Sequence, residues 1–223
     1  MKIALCIRGH IRDGLFTSGF TQYIDRLLEE KHEVHLYLHT WKESEAQSSY
    51  RMLDRRHIFK VSKELLQNYF KNYDTREVIV DDDSKIKIYG NKTGVVSSSR
   101  CPLIAWKRMW AGQHKIISCV YASEENYDRV INTRFDMFTN PICYTPPSVL
   151  RQLILQKNTM SFKYPTYTRD LIGLDNFYVG QLETMHKLVS DFYTSLDDIH
   201  KKYPNVVNQE EIVRLYAADN NLL

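Results

Sequence analysis

The sequence predicts an α/β fold: a mostly parallel, mixed sheet with helices on both faces. Three observations predict it. Short apolar, β-branched runs alternate with amphipathic segments along the whole chain, the pattern of strands joined by crossover helices. The first run, residues 1–7, stops at Arg8-Gly9, a charged residue and a turn former. Residues 127–136 read as a buried strand through Val130 and Ile131 that ends in Arg134 and Asp136, and β-branched residues suit a sheet interior.

The elements follow in order. Residues 1–7 form the first strand. Residues 15–30 form a helix with Phe16, Phe20, Ile24, Leu27 and Leu28 on one face, the spacing of a helical stripe. Residues 33–39 form a second strand, ending at Thr40 and Trp41. Residues 43–57 are polar and irregular. Ser62 caps a helix reaching about Asn72, since a serine oxygen accepts an otherwise unpaired first-turn N–H. Residues 77–80 form a third short strand, and 84–99 hold another short strand and a loop with glycine and serine. Residues 102–122 form a long helix carrying Ile104, Trp106, Met109, Trp110, Ile116 and Ile117. After the strand at 127–136, Pro141, Pro146 and Pro147 interrupt regular structure. Strands at 159–163 and 176–179 and helices near 181–201 and 208–218 close the chain. There is no internal repeat, low-complexity tract or linker, so a single domain over residues 1–223 is expected.

Composition narrows the function classes. A chain of 223 residues buries a substantial core. Its net charge of +3 is too small to argue for nucleic-acid binding. No apolar run approaches the ~20 residues of a membrane span, and the opening run lacks the pattern of a signal peptide. The cysteines Cys6, Cys101, Cys119 and Cys143 show no C-x-x-C spacing. They predict free thiols, a reducing, cytoplasmic setting and no structural zinc. Fifteen tyrosines offer rings for stacking on sugars or bases.

The chemistry concentrates at two predicted strand ends. Residues two apart on a strand share a face, so Arg134 and Asp136 look into one crevice at a carboxyl edge, where open α/β sheets hold ligands. A carboxylate there binds a hard divalent cation, and an arginine binds phosphate. The first strand ends in Arg8-Gly9-His10-Ile11-Arg12. Gly9 allows close approach of backbone to ligand, Arg8 and Arg12 add cations, and His10 lies within reach of a diphosphate. This is neither G-x-G-x-x-G nor a P-loop, which argues against dinucleotide and ATP sites. Together these residues suggest a metal-bound nucleoside diphosphate site.

The chain resembles GT-A-type glycosyltransferase domains, particularly the small nucleotide-sugar transferases of large algal viruses and related bacterial polysaccharide enzymes. The resemblance is carried by residues 4–12, by His39-Thr40-Trp41, by the 127–136 segment and by residues 175–180. It implies a GT-A, Rossmann-like sheet, with a nucleotide-binding part at about 1–138 and an acceptor-side part at about 139–223. It implies transfer of a hexosyl group, glucose- or rhamnose-like, from a UDP-sugar to a glycan or glycoprotein acceptor, with Mn²⁺ or Mg²⁺. Arg8, Gly9, His10, Arg12 and Arg134 then hold the nucleotide and Asp136 the metal. The family's metal motif is Asp-x-Asp, and Arg134 stands here at the first Asp position. The alternative is a nucleotidyltransferase-like or noncatalytic nucleotide-sugar-binding domain.

Other candidates stand beside these. Asp81, Asp82 and Asp83 form a literal Asp-x-Asp at another strand end and are the second candidate for the cation, or a solvated turn beside Lys85 and Lys87. Asp175 precedes a late strand, where a carboxylate can act on the acceptor hydroxyl or stabilise an oxocarbenium-like state. Glu210 and Glu211 lie at a helix start, where acids satisfy the helix dipole; by resemblance Glu210 is the better placed for a catalytic or acceptor contact. His35 and His39 are four apart on a strand, about 13 Å by strand rise, too far to share a metal. Trp41 and Trp106 either frame a sugar or base or pack in the core. No G-x-S-x-G elbow or H-E-x-x-H pair occurs, so hydrolase triads and zinc-protease sites have no support.

Overall fold

The computed structural model describes residues 1–45, 58–96, 101–139, 147–155, 160–161, 177–206 and 209–223. Its strands are β1 (Lys2–Arg8), β2 (Glu33–Trp41), β3 (Glu43–Glu45), β4 (Ile58–Lys60), β5 (Thr75–Asp81), β6 (Arg129–Arg134), β7 (Met160–Ser161) and β8 (Phe177–Gly180). Its helices are α1 (Gly19–Glu29), α2 (Lys63–Tyr69), α3 (Leu103–Ala122), α4 (Pro147–Ile154), α5 (Leu182–Lys202) and α6 (Gln209–Asp219).

The main sheet runs β5-β2-β1-β6-β8-β7. Strands β5, β2, β1 and β6 are parallel, while β8 is antiparallel to both β6 and β7. This is the mostly parallel mixed α/β sheet the sequence predicts. Two apolar layers cover it. Ile3, Leu5 and Ile7 pack with Phe20, Ile24 and Leu27 of α1 and with Leu150 and Leu153 of α4. Ala4 and Cys6 pack on the other face with Trp106, Trp110 and Ile117 of α3 and with Leu188 and Phe192 of α5. Every residue of β1 from Ile3 to Arg8 is buried, as for the central strand of a sheet covered on both faces.

The chain leaves β1 to build β2 and β5 on one side and then crosses back to place β6 on the other. The strand order therefore reverses between β1 and β6. In open α/β sheets this switch point, at the carboxyl edge, is where ligands bind.

Several boundaries differ from expectation. Helix α1 starts at Gly19, not residue 15, and its buried face is Phe20, Tyr23, Ile24 and Leu27. Phe16 is 77% exposed and Leu28 45%, because the residues after Arg12 are spent on turns that lead the chain over the sheet edge. The Ser62 cap is present, accepting from the Leu65 N–H at 3.2 Å, but α2 stops at Tyr69 with Phe70 as its C-cap. The segment read as irregular from 43 pairs instead as a two-stranded antiparallel ribbon of β3 and β4; residues 46–57 lie outside the described residues. In the described residues 84–96 there is no strand, only a single bridge from Val95 to Pro102. Pro147 opens α4 rather than breaking structure, since proline's missing N–H and fixed φ suit the first helical turn. Of the strand expected at 159–163, β7 covers Met160–Ser161. The expectations for Pro141, Pro146 and Cys143 fall outside the described residues, and the thiols of Cys6 and Cys119 are free. Among the described residues no helix is long and apolar enough to cross a membrane.

Candidate functional site

At the switch point, β1 and β6 end side by side on arginines. Arg8 is the register partner of Arg134, and on its other side of His39. Register partners on parallel strands lie about 4.8 Å apart and point to the same face. Two like charges so placed destabilise the sheet unless an anion joins them.

Asp136 is the counter-ion of Arg134, while Arg8 bonds to Asn132. Strand β6 ends at Arg134, so Asp136 lies in the following turn rather than at the next outward position of the strand. The turn folds its carboxylate back onto Arg134, whose Nε donates to Oδ1 at 2.8 Å and whose terminal nitrogen donates to Oδ2 at 2.7 Å. This two-pronged pairing is the fork geometry an arginine offers a carboxylate. Arg12 donates to Oδ2 from the opposite side. Asp136 is 1% exposed. Burial raises its pKa, but the charges of Arg134 and Arg12 and their hydrogen bonds outweigh burial and hold it down at about 2.

The loop after β1 is shaped to deliver Arg12. Gly9 sits at φ +92° with open space where a side chain would stand, and its N–H donates to the His39 carbonyl at 3.0 Å. Arg12 itself adopts φ +50°, a left-handed conformation that costs a non-glycine residue about 1–2 kcal/mol. Buried Ser44 holds it there. The Ser44 Oγ accepts from the Ile11 and Arg12 N–H groups at 2.8 and 3.2 Å. Gly14 then lies against the turn that carries Asp136. A β-carbon at Gly14 would stand 2.1 Å from the Phe135 carbonyl oxygen. Thr139 donates to the Asp13 carboxylate at 2.7 Å and fastens the same two segments. The buried Nε of Arg12 has no hydrogen-bond partner, so the site retains a charged donor without an acceptor.

Arg8 is 2% exposed and is held from within the fold. Its Nε donates to Asn132 Oδ1 at 3.1 Å, and Asn132 Nδ2 donates to Gln113 Oε1 at 2.9 Å. Asn132 and Gln113 are fully buried. The chain of bonds fixes both amide orientations and links the guanidinium through β6 to α3.

The second acidic candidate lies at the ends of β2 and β5. Asp81 accepts from Lys115 at both oxygens, 2.7 Å each, and from His39 Nε2 at 3.2 Å. The His39 hydrogen bond is the main cause holding Asp81 down at about 2, with burial opposing and Lys115 assisting. Burial pushes His39 itself down, so the imidazole donates as a neutral ring. An ionised carboxylate only accepts, which puts the ring proton on Nε2 and leaves Nδ1 as a buried acceptor without a partner. Gly112 makes room for the ring, since a β-carbon there would stand 2.7 Å from His39 Cε1. Asp82 accepts from Ser84 at 2.6 Å, and Asp83 pairs with Arg108 at 2.9 Å. The three acids thus point to separate sets of partners. A groove of about 720 Å³ runs beside them, lined in part by Trp41, Asp81, His114, Lys115 and Tyr193.

The remaining candidates divide as follows. Gly9 and Arg12 join Arg8, Arg134 and Asp136 at the switch point, and His10, half-buried, follows Gly9 in the same loop. Glu210 and Glu211 occupy the first turn of α6, away from the sheet's parallel half, where α6 packs on β7 and α5. Asp175 lies outside the described residues. Trp41 and Trp106 are 5% and 2% exposed, and Trp106 packs edge-on to Trp110 and Phe192. Trp106 is a core residue. Ser44, Asn132, Gln113, Gly14 and the Asp13–Thr139 pair escaped the sequence reading. Only Gly14 left a signal, a glycine in the basic loop.

A divalent cation fits this arrangement poorly. Both Asp136 oxygens are engaged by guanidinium nitrogens in a nearly water-free position, whereas a hard cation needs several accessible oxygens. Among the described residues no group of three or more His, Cys, Asp or Glu side chains is arranged to hold a metal. No protein-family model matches the chain, and no curated protein matches it in sequence.

Proposed function

We propose that the chain is a glycosyltransferase that takes a hexosyl group from a UDP-sugar and passes it to a glycan acceptor. The observation that carries this reading is the meeting of Arg8, Arg12 and Arg134 at the switch point of the sheet. Each of the three guanidiniums is a fixed cation of the kind that binds a diphosphate. Arg12 keeps a buried donor with no acceptor, as a site does whose acceptor arrives with the ligand. The order of strands and the resemblance noted above support the same reading.

In this reading Arg8 and Arg134 orient the diphosphate from the strand ends, and Gly9 lets the loop backbone lie against it. The Asn132–Gln113 relay keeps Arg8 aimed. Asp136 holds Arg12 and Arg134 apart at fixed angles, so they are ordered before the ligand arrives. The acceptor hydroxyl loses its proton to a carboxylate, a role that falls to Asp175 or, failing it, Glu210.

The test is paired. Calorimetric titration with UDP measures the nucleotide site, and incubation with UDP-glucose and a panel of glycan acceptors measures transfer. UDP binding in the micromolar range together with a glycosylated product supports the proposal. Binding without turnover supports a noncatalytic nucleotide-sugar-binding domain instead, and absence of UDP binding removes both.

A further inference from the structure

We propose that the arginine cluster does the work for which the GT-A architecture recruits a divalent cation, so that this chain binds its diphosphate and releases it without a metal. The inference rests on the nucleotide-sugar reading of the site and departs from the metal dependence that the resemblance implies.

Three observations carry it. First, the carboxylate that would ligate the metal is already engaged at both oxygens. Arg134 takes both oxygens at 2.8 and 2.7 Å, and Arg12 takes one of them again. A cation reaching Asp136 would have to displace two guanidiniums and then sit beside them as a third like charge. Second, Arg134 occupies the sequence position where the family's first metal-binding Asp would stand. The change replaces a ligand for a cation by a cation. Among the described residues the acidic triplet does not compensate, since Asp81, Asp82 and Asp83 are engaged with Lys115, Ser84 and Arg108 at the other pair of strand ends, and Asp13, in the loop itself, accepts from Thr139. Third, the cluster already has what the metal would supply: fixed positive charge and unspent donors. Arg12 Nε has no acceptor, and Arg12 is locked at φ +50° by the two N–H bonds to Ser44.

The chemical step balances without a metal. The bond between the anomeric carbon and the β-phosphate oxygen breaks, and its electron pair stays on that oxygen. The acceptor oxygen bonds the anomeric carbon and gives its proton to a base. The leaving diphosphate gains one negative charge, and Arg12 and Arg134 meet it with hydrogen bonds that strengthen as the charge develops.

The experiment is UDP titration of the intact chain by calorimetry, once in excess EDTA and once in excess Mn²⁺, alongside Arg12→Gln and Arg134→Gln. Melting curves accompany each variant, and Arg134→Lys serves as the conservative version should Arg134→Gln fail to fold. The expected result is a dissociation constant equal within twofold in the two buffers. Each Gln variant should bind UDP roughly ten- to a hundredfold more weakly in EDTA, as expected for the loss of a charge-assisted hydrogen bond. Arg134→Lys should fall between Arg134→Gln and the parent, because it keeps the charge and loses the fork. A tenfold or greater loss of UDP affinity in EDTA overturns the inference while leaving the nucleotide reading intact. Folded Arg12→Gln and Arg134→Gln proteins with parental affinity overturn it as well. No UDP binding in either buffer overturns the nucleotide reading and this inference with it.

Discussion

Two carboxylates, Asp136 and Asp81, stand at the carboxyl edge of the same sheet, and both are held at about 2. Their surroundings differ. Asp136 is shut in the interior between two arginines, one from its own strand end and one from a loop 124 residues away. Asp81 is partly exposed at the rim of a groove, paired with a lysine and a neutral histidine. The same depressed pKa thus arises once from guanidinium charge working against burial, and once chiefly from the His39 hydrogen bond, with the Lys115 ammonium assisting. In the arginine cluster the buried Nε of Arg12 has no acceptor, while Lys115 on the rim is paired with Asp81. A perturbed carboxylate alone does not locate a binding site. What distinguishes the two is whether the partners around it still need an anion.

The largest expected effect separates the two directly. Asp136→Asn leaves two poorly solvated guanidiniums without their counter-ion, and breaking a buried pair in this way costs about 3–5 kcal/mol. Asp81→Asn faces solvent and should cost under about 1 kcal/mol after screening. Urea denaturation of both variants measures the difference, and equal losses would erase the distinction between the two regions. If the cluster binds diphosphate, saturating UDP should restore more stability to Asp136→Asn than to the parent.

Next come the glycines beneath each region. Gly14→Ala drives a β-carbon into the Phe135 backbone, which cannot swing aside, so a loss of about 2–3 kcal/mol is expected. Gly112→Ala presses only on the His39 ring, which can tilt, and alanine also favours the helix. A net loss of about 1 kcal/mol or less is expected there. Thermal melts compare the pair, and a larger loss at Gly112 would make the β2–β5 end the more rigid site.

Acid should act in the same order. The Asp136 carboxyl titrates lower in the folded state, at about 2, than its ordinary value of 3.8. Its stabilisation is therefore complete above about pH 4 and is lost as pH falls toward 2. The loss amounts to about 2 kcal/mol. Comparing denaturation at pH 5 and pH 2.5 in the parent and in Asp136→Asn isolates it, since the variant should lack this component. A smaller effect is expected at Asp81, whose carboxyl is also held at about 2 but is partly open to screening solvent, so its Asn variant should lose part of the same acid dependence.

Much of the fold was legible in the sequence because it is written in local periodicity. The run from Ile3 to Ile7, the stripe of α3 and the Ser62 cap each depend on neighbours within a turn or two. The misplaced start of α1 shows the limit. Phe16 fits a helical stripe, but the chain needs those residues to round the sheet edge. The segments at β3 and β4 read as irregular since a three-residue ribbon has too little pattern to recognise. At the site, the strand-end positions of Arg8 and Arg134 followed from where the apolar runs stop, while Asp136 lies in the turn beyond.

The sequence by itself determined which charges lie at the ends of which strands, because strand ends are set by short-range pattern. Only the tertiary structure decided what those charges do to one another. Parallel pairing brings Arg8 beside Arg134, 126 residues apart, and the Gly14 contact brings Arg12 to Asp136. Those juxtapositions depend on strand order and backbone approach, which no local window contains. Spacing of two residues predicted that Arg134 and Asp136 face one ligand side by side. The turn after β6 instead folds one onto the other, and the carboxylate read as a metal ligand pairs with Arg134 and Arg12. The physical reason is burial: where water is excluded, a carboxylate binds the nearest fixed cation, and here two arginines are already there.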